Sequence, residues 1–201
     1  KYSFFIILIT LFLWSLIFFV IPFKTEISLS GETMGTTYEV KIAQNLSNSK
    51  QSVIAEDIDS ILKTINQSMS TYISDSEISL INKNEVVFKS FVVSDEFKYV
   101  LNKSFFYYKK TGGAFDVTVK PLLKLWGFRG ESINEEPELS SIKNVSKYVG
   151  GDKYILNSNQ LTKGHPKLQF DFGAIAKGYA VDQISDYLIK SGYKVHYVEI
   201  G

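Results

Sequence analysis

The sequence predicts a domain that contains both α-helices and β-strands, placed behind an N-terminal membrane segment. Residues 33–42 alternate apolar and polar side chains with a period of two, which is typical of a half-buried strand. Helical spacing follows in one apolar face, formed by Ile54, Ile58, Ile61, Ile65 and Met69. Residues 2–23 are almost continuously apolar, and at about 1.5 Å per residue they are long enough to span a bilayer core of roughly 30 Å.

Length, charge and composition limit what the chain does. Its 201 residues suffice for one domain of ordinary size with an appendage. The formal net charge is +1, and lysines and acids are interspersed, so we expect no nucleic-acid partner. The absence of cysteine from the sequence excludes disulfides, thiolate metal sites, a cysteine nucleophile and a lipidated cysteine within these residues.

The apolar run at the N-terminus is interpreted as a transmembrane or signal segment. The residues around Phe18–Pro22 are bulky where signal peptidase requires small ones, which favours an uncleaved anchor over a cleaved signal. Lys1 and Lys24 flank the run evenly, so the sequence specifies its orientation weakly. We therefore divide the chain into an anchor (1–23), a linker (24–30) and a single domain (31–201).

The first half of the domain predicts alternating strands and helices. After the strand at 33–42 and a polar spacer at 44–51, the helix ends at Met69, and Asp75 and Glu77 open a short helical turn through Leu80. Residues 86–93 predict a second strand. Ser94 is a good N-cap for the next helix, and Gly112 ends it. We interpret its aromatic side chains as core rather than as a cofactor site: Phe97, Phe105, Phe106, Tyr107 and Tyr108.

The second half is less regular. Residues 121–126 form a short apolar segment, residues 129–152 predict a solvated excursion, and residues 154–161 predict a hairpin strand. The sequence ends within a predicted strand, residues 194–200, and begins at lysine, so we expect it to be part of a longer protein. His165 and His196 are interpreted as structural residues rather than as ligands or bases.

Residues 168–180 predict a strand that turns directly into a helix. Leu168, Phe170 and Phe172 alternate with polar residues, and helical spacing begins at Ile175. A helix N-terminus carries unpaired N–H groups and partial positive charge, so it binds phosphate readily, and Lys177 in the first turn adds a full charge. Asp171 at the strand end could accept hydrogen bonds or help to hold a cation. A plain strand, turn and helix with a solvated lysine is the alternative.

Several common catalytic motifs are absent from the sequence, including G-x-G-x-x-G after a strand, the P-loop, H-E-x-x-H and G-x-S-x-G. Three glycine-punctuated segments remain as candidates: Met34 with Gly35, residues 112–116, and residues 171–178. Tyr72, an aromatic residue just past a helix end, is suited to stack on a planar ring.

Together these residues resemble the ApbE family, the FAD:protein FMN transferases. The resemblance lies in five segments in the family's order: Glu32–Tyr38, Met69–Tyr72 with Asp75–Ile78, Gly112–Thr118, Leu125–Phe128, and Asp171–Tyr179. It implies an α+β fold of the ApbE-like, T-fold type, with helices packed on mixed or antiparallel sheets. It covers essentially the whole chain after the apolar segment.

The resemblance implies a role for individual residues. Met34, Tyr72, Asp171 and Lys177 would contact FAD, with Tyr72 near the flavin ring and Lys177 against the pyrophosphate. The nucleotide pocket would be lined by Ala114, Phe115 and Asp116. The main-chain carbonyl of Ala174 would ligate Mg²⁺. A histidine and a metal-binding aspartate, which the family supplies later in the chain, are expected beyond Gly201, so we expect the printed chain alone to be inactive.

The activity that the resemblance implies is Mg²⁺-dependent transfer of FMN from FAD to a threonine or serine hydroxyl of an acceptor protein, releasing AMP. The acceptors would be bacterial, such as flavin-bearing subunits of Na⁺-pumping NADH:quinone reductase or of Rnf-type complexes. The domain would be held at the inner membrane and would face the periplasm or cell exterior. Two alternatives remain open: an FAD pyrophosphatase, and a membrane-tethered flavin-binding protein without catalysis.

Overall fold

The computed structural model describes residue 10 and residues 26–86, 88–128 and 136–201. Apart from Thr10, the predicted membrane segment at residues 2–23 lies outside the described residues, as do linker residues 24–25. Among the residues that are described, no helix combines the length and apolar character needed to cross a bilayer.

The described residues form short strands interleaved with helices. In chain order the elements are β1 (Ile27–Thr33), β2 (Thr36–Ile42), α1 (Asn48–Met69), α2 (Glu77–Lys83), β3 (Ser90–Val92), α3 (Asp95–Lys110), α4 (Lys120–Leu125), α5 (Leu139–Ser146), β4 (Tyr154–Asn157), β5 (Gln160–Lys163), α6 (Ala176–Lys190) and β6 (His196–Ile200).

The strands make two separate antiparallel sheets. The first has the order β1-β2-β6 and the second the order β3-β5-β4. Helices α1 and α6 pack together, α1 contacts β1 and α6 contacts β6, and Val40 and Ile42 of β2 are buried in the core. This arrangement of helices with antiparallel sheets confirms the predicted α+β class.

The boundary between the predicted linker and the first strand lies earlier in the structure than expected. Residues 27–33, which include four residues assigned to the linker, form β1, and the predicted strand at 33–42 is its hairpin partner. Gly31 lies inside β1, where a Cβ would come within 2.7 Å of the Tyr38 ring, so this glycine makes room for a cross-strand neighbour. The predicted boundary between linker and domain at residues 30 and 31 therefore falls inside a strand.

Four other segments differ from expectation. The strand predicted at 86–93 is confined to β3, and the solvated excursion predicted at 129–152 contains α5, with residues 87 and 129–135 outside the described residues. The helical turn after Glu77 continues beyond Leu80 to Lys83, and the apolar segment at 121–126 is part of α4. Weak periodicity concealed α5, which buries no residue completely.

The core lies between α1, α6 and the two sheets. The buried face of α1 is formed by Ile54, Ile58, Leu62, Ile65, Ser68 and Met69, which confirms the predicted amphipathic helix with Leu62 in place of the half-buried Ile61. Each fully buried isoleucine contributes about 1.5–3 kcal/mol relative to an exposed one.

The aromatic side chains of α3 divide between core and surface. Phe97 is fully buried and packs edge-on against Phe172, with ring centroids 4.9 Å apart. Phe106 and Tyr107 are exposed, so the prediction that they belong to the core was wrong. The helix boundaries were predicted correctly: Ser94 accepts a hydrogen bond from Phe97 N at 3.2 Å, and Gly112 follows the helix with φ at +62°.

Candidate functional site

A cavity of about 300 Å³ lies where the β1–β2 turn, the C-terminal end of α1 and the start of α6 meet. It contains residues from three of the segments that sequence analysis singled out. Its lining consists of Met34, Ile65, Asn66, Met69, Ser70, Thr71, Tyr72, Asp171, Gly173, Ala176 and Lys177. Four of the predicted FAD-contacting residues, separated by up to 143 positions in the chain, therefore share one cavity: Met34, Tyr72, Asp171 and Lys177.

Met34 reaches the cavity from a two-residue hairpin turn. Met34 and Gly35 have φ values of +51° and +75°, as a type I′ turn requires, and Thr33 pairs with Thr36 on either side. The amide Nδ2 of Asn66 donates to Thr33 Oγ1 at 3.0 Å and to Leu62 O at 3.0 Å. This contact fastens the hairpin to α1 and so holds Met34 against the end of that helix.

Tyr72 follows the end of α1 on a loop with internal hydrogen bonds. Ser76 Oγ donates to Ser70 O at 2.6 Å, and the Tyr72 N–H donates to Ser70 Oγ at 3.3 Å. The Tyr72 side chain is 78% exposed, although it lines the cavity. An aromatic ring held at the mouth of a cavity can cover one face of a planar ligand.

The segment predicted as a strand at 168–172 is extended but joins no sheet formed by the described residues. Leu168, Phe170 and Phe172 are buried as the alternation predicted. Only an isolated parallel bridge links Gln169 to Val119, and the Asp171 N–H donates to Val117 O at 2.7 Å. The structure therefore does not form the predicted strand here, because alternation of side chains reports an extended backbone and not the presence of a neighbouring strand.

A side chain takes the place of that neighbouring strand. Asn82, buried at the end of α2, donates from Nδ2 to Phe170 O at 2.8 Å and accepts from Phe170 N at Oδ1 at 2.7 Å. Gln169 Nε2 donates to Asn82 O at 3.3 Å. The residue immediately before Asp171 is thus held on both its backbone polar groups.

Asp171 forms the turn that leads into α6. Its carboxylate is 6% exposed, and Oδ1 accepts from the Gly173 N–H at 2.8 Å. The N–H groups of Ile175 and Ala176 donate to Phe172 O at 2.9 and 2.8 Å. Ile175 at the N-cap supplies no side-chain hydrogen bond to this 15-residue helix, and the N-terminus of a helix is a place where anions bind.

Lys177 adds a positive charge at the same place. Its side chain lies in the first turn of α6 and is exposed. A Cβ built on Gly201 would lie 3.2 Å from Lys177 Nζ and 3.2 Å from Thr36 Oγ1, so the last residue of the chain, the start of β2 and this ammonium group are close together. An ammonium group beside a helix N-terminus favours an anionic ligand.

Ala114, Phe115 and Asp116 do not line the cavity. Asp116 Oδ1 accepts from the N–H and the hydroxyl of Thr118, each at 2.7 Å, and the Gly150 N–H donates to Thr118 Oγ1 at 2.7 Å. Phe115 packs against Tyr107 with ring centroids 5.9 Å apart. This loop connects to the cavity through Val117, whose carbonyl accepts from Asp171, and its contact with a nucleotide stays a prediction.

A metal at this site would find part of its ligands among the described residues. No cluster of three or more His, Cys, Asp or Glu side chains suited to a metal occurs in the part of the chain that the structure describes. Ala174 is an exposed residue, and the Asp171 carboxylate lies three residues earlier in the chain. Since Mg²⁺ prefers oxygen ligands, the Ala174 carbonyl and the Asp171 carboxylate would supply part of its coordination.

The two histidines make structural contacts. The His165 ring stacks on Tyr148 with centroids 4.9 Å apart, and its Nδ1 accepts from the Lys167 N–H at 3.1 Å. His196 Nδ1 lies 2.7 Å from Tyr193 O and Nε2 lies 2.8 Å from Ser185 Oγ. Neither lines the cavity, in agreement with the structural role predicted for both.

The sequence analysis missed several polar residues that position the site. Asn66 and Asn82 hold the hairpin and Phe170, and Glu77 accepts from Ser94 N, Ser94 Oγ and Ser68 Oγ at 2.6, 2.6 and 2.8 Å, which joins α1, α2 and α3. For Asn82 and Ser68, a polar residue at a buried helical position is the signal that would have indicated them.

Lys163 is the fourth of these residues. It is fully buried, and its Nζ donates to Ile81 O, Asn84 O and Pro166 O at 3.3, 2.7 and 3.1 Å. Removal from water lowers the pKa of Lys163 to about 8. The side chain ties the end of α2 to the turn that precedes Leu168.

Known proteins resemble this chain over most of its described length. The sequence model of the ApbE family matches residues 34–201. The FAD:protein FMN transferase of Haemophilus influenzae is 41% identical over 181 residues, and that of Vibrio cholerae 36% over 177; the matches cover 87% and 88% of this chain. They cover 52% and 53% of those relatives, so the chain spans about half the length of the curated relatives that it matches.

Solved structures of ApbE proteins resemble this chain as well. The flavin transferase ApbE from Vibrio cholerae superposes with a TM-score of 0.82 at 37% identity, covering 88% of this chain and 57% of that one. The apo flavinyl transferase ApbE of Pseudomonas stutzeri gives a TM-score of 0.79 at 31% identity, covering 88% and 59%.

Proposed function

The chain belongs to the ApbE family, and on that premise we propose that its protein transfers FMN from FAD to a threonine or serine hydroxyl of an acceptor protein, with release of AMP. The observation that carries this proposal is the cavity that collects Met34, Tyr72, Asp171 and Lys177 at the start of α6. At about 300 Å³ it lies at the lower end of the range for ligand pockets, so it accommodates part of a dinucleotide.

The geometry suggests how FAD would be placed. The Tyr72 ring at the cavity mouth would cover the flavin, and the pyrophosphate would lie on the N-terminus of α6 beside Lys177. Asp171, held by the Gly173 N–H, and the carbonyl of Ala174 would help to hold Mg²⁺ against the phosphates. When bound, Mg²⁺ would neutralise phosphate charge and polarise the attacked phosphorus.

The reaction breaks one bond of the pyrophosphate. The acceptor hydroxyl oxygen bonds to the phosphorus on the riboflavin side, the bridging oxygen leaves with AMP, and the hydroxyl proton passes to a base. Lys177 and the amides of the α6 N-terminus would stabilise the negative charge that builds up on the phosphate oxygens. We propose that residues of the longer protein supply the base and the remaining metal ligands.

Partners and location are further parts of the proposal. Acceptors would be flavin-bearing subunits such as those of Na⁺-pumping NADH:quinone reductase or Rnf-type complexes. The apolar run at residues 2–23 supports a domain tethered to the bacterial inner membrane, and the named acceptors support its facing the periplasm or cell exterior.

A transfer assay tests the proposal. The protein expressed from the complete gene is incubated with FAD, Mg²⁺ and the soluble acceptor domain of an Rnf-type subunit, and denaturing electrophoresis then shows covalent flavin fluorescence on the acceptor. An acceptor whose target threonine is replaced by alanine is the control. Free FMN with an unlabelled acceptor would identify a pyrophosphatase instead, and FAD that is bound without turnover would identify a flavin-binding protein.

A further inference from the structure

One exposed face of α3 carries aromatic and lysine side chains in alternation. Tyr99, Lys103, Phe106 and Lys110 follow i, i+4, i+7 and i+11, which places them in a single row along the helix, and we call this row the α3 stripe. Phe106 is 54% exposed and Tyr99 48%. Lys103 Nζ lies 5.6 Å from the Tyr99 ring centroid, and Lys110 Nζ lies 5.5 Å from that of Phe106.

Lysines outnumber acids in the part of the sequence that contains the α3 stripe. Residues 97–128 contain six lysines and one acid, a net charge of +5, so the rest of the chain carries −4 within a total of +1. The single acid, Asp116, already accepts two hydrogen bonds from Thr118. The even mixing of charges expected from the whole sequence therefore does not hold here. Asp95 and Glu96 precede the stripe at the start of α3, and Asp95 pairs with Lys98.

The α3 stripe borders elements of the candidate site. The Tyr99 ring lies 5.4 Å, centroid to centroid, from that of Tyr179, two residues after Lys177 on α6. At the other end of α3, Tyr107 packs on Phe115. Two residues after Phe115, the Val117 carbonyl accepts a hydrogen bond from the Asp171 N–H. A protein seated on the stripe would thus lie beside both the start of α6 and the loop at 111–116.

We propose that the α3 stripe is the surface on which the acceptor protein docks, and that it fits an acidic face of that protein. The inference rests on the proposed function, since a transferase acting on a protein needs a surface that holds the acceptor beside its site. Exposed aromatic rings supply anchors that bury apolar area, and a one-sided charge steers a partner of opposite charge. An anionic lipid surface has a related chemistry, but the contact of Tyr99 with Tyr179, near the start of α6, favours an occupant that lies beside this helix.

Binding without FAD separates this inference from the proposed function. The complete protein in zwitterionic nanodiscs is titrated with the acceptor domain used in the transfer assay, and with a version of that domain whose acids around the target threonine are changed to amides. The stripe variant is Lys103→Glu with Lys110→Glu, and Phe106→Ala tests the aromatic part alone. The matched control is Lys190→Glu with Lys194→Glu, which changes the charge equally at exposed positions on the opposite end of α6.

We expect the stripe variant to weaken acceptor binding by about tenfold at low salt and less at high salt, with the control unchanged. FAD affinity should be unaffected, and the amide version of the acceptor should lose its sensitivity to the stripe. Equal binding by the stripe variant and wild type, or no binding by wild type, would overturn the inference even if FMN transfer occurs. Loss of binding to phosphatidylglycerol vesicles with acceptor binding intact would instead identify a lipid surface. Stripe-dependent binding without transfer would leave the docking surface standing and refute the transferase.

Discussion

The side-chain amide of Asn82 pairs with the backbone of Phe170 in both directions, donating to its carbonyl at 2.8 Å and accepting from its N–H at 2.7 Å. This is the hydrogen-bond pattern that a neighbouring strand would offer to one residue. It holds the extended segment directly before Asp171, although neither sheet in the described part of the chain contains that segment.

Replacing Asn82 by alanine should therefore cost about 2–4 kcal/mol of unfolding free energy, because it leaves a buried N–H and a buried C=O without partners. Urea denaturation measures the change. Asn102→Ala, at an exposed position of α3, is the matched control and should stay within about 0.5 kcal/mol of wild type. A loss as small as that for Asn82→Ala would show that water replaces the amide.

Tyr72 should affect ligand binding without affecting stability. Tyr72→Ala removes a ring that is 78% exposed, so the unfolding free energy should change by less than about 0.5 kcal/mol. FAD affinity should fall by roughly 5- to 100-fold if the ring stacks on the flavin, and Tyr72→Phe should preserve it. Fluorescence titration of FAD decides; unchanged affinity in the alanine variant would remove Tyr72 from the site.

Lys177 should contribute charge to FAD binding. Lys177→Met keeps most of the side-chain length but removes the ammonium group beside the α6 N-terminus, so affinity for FAD should fall about tenfold and the fall should shrink as salt increases. Lys190→Met, in the last turn of the same helix, is the control. Riboflavin, which lacks phosphate, should bind both variants as it binds wild type, and a loss of riboflavin affinity would contradict the assignment.

Lys163 makes stability depend on pH in the alkaline range. Its pKa is lowered to about 8 in the folded protein, so between about pH 8 and its ordinary value of 10.5 the unfolded chain binds more protons than the folded one. Stability from this residue therefore rises with pH in that window. Relative to Lys163→Met, wild type should gain on the order of 1–2 kcal/mol from pH 7.5 to 9.5 in urea denaturation. A constant difference would show that the three carbonyl contacts keep the amine charged.

The sequence predicted the helices and strands of this fold better than the contacts between them. The apolar face of α1 and the Ser94 cap of α3 were read correctly, because they depend on residues close in sequence. The contact between Asn82 and Phe170 could not be predicted, since the two residues lie 88 positions apart and Phe170 contributes only its main chain. The position of Gly31 inside a strand was not predicted either, because its role is set by the Tyr38 ring on the other strand of the hairpin.

The sequence indicated some residues of the candidate site and not others. The motifs of the ApbE family indicated Met34, Tyr72, Asp171 and Lys177, and the structure collects these in one cavity. The same motifs indicated Ala114, Phe115 and Asp116, which do not line the cavity. They precede Val117, whose carbonyl accepts a hydrogen bond from the Asp171 N–H. Residues such as Asn66 were not indicated, because a polar side chain on a helix gives no sign in sequence of which loop it will hold.

The turn at Met34 and Gly35 restricts how this part of the gene can change in length. Adding one residue there would shift β1 against β2 by one position and turn each β1 side chain to the opposite face of the sheet. Thr33 would then lose Asn66, and Met34 would leave the cavity. Natural variants of this protein should accordingly tolerate insertions at the exposed residues Gln44 and Asn45, between β2 and α1, and exclude them from the two-residue turn at Met34 and Gly35.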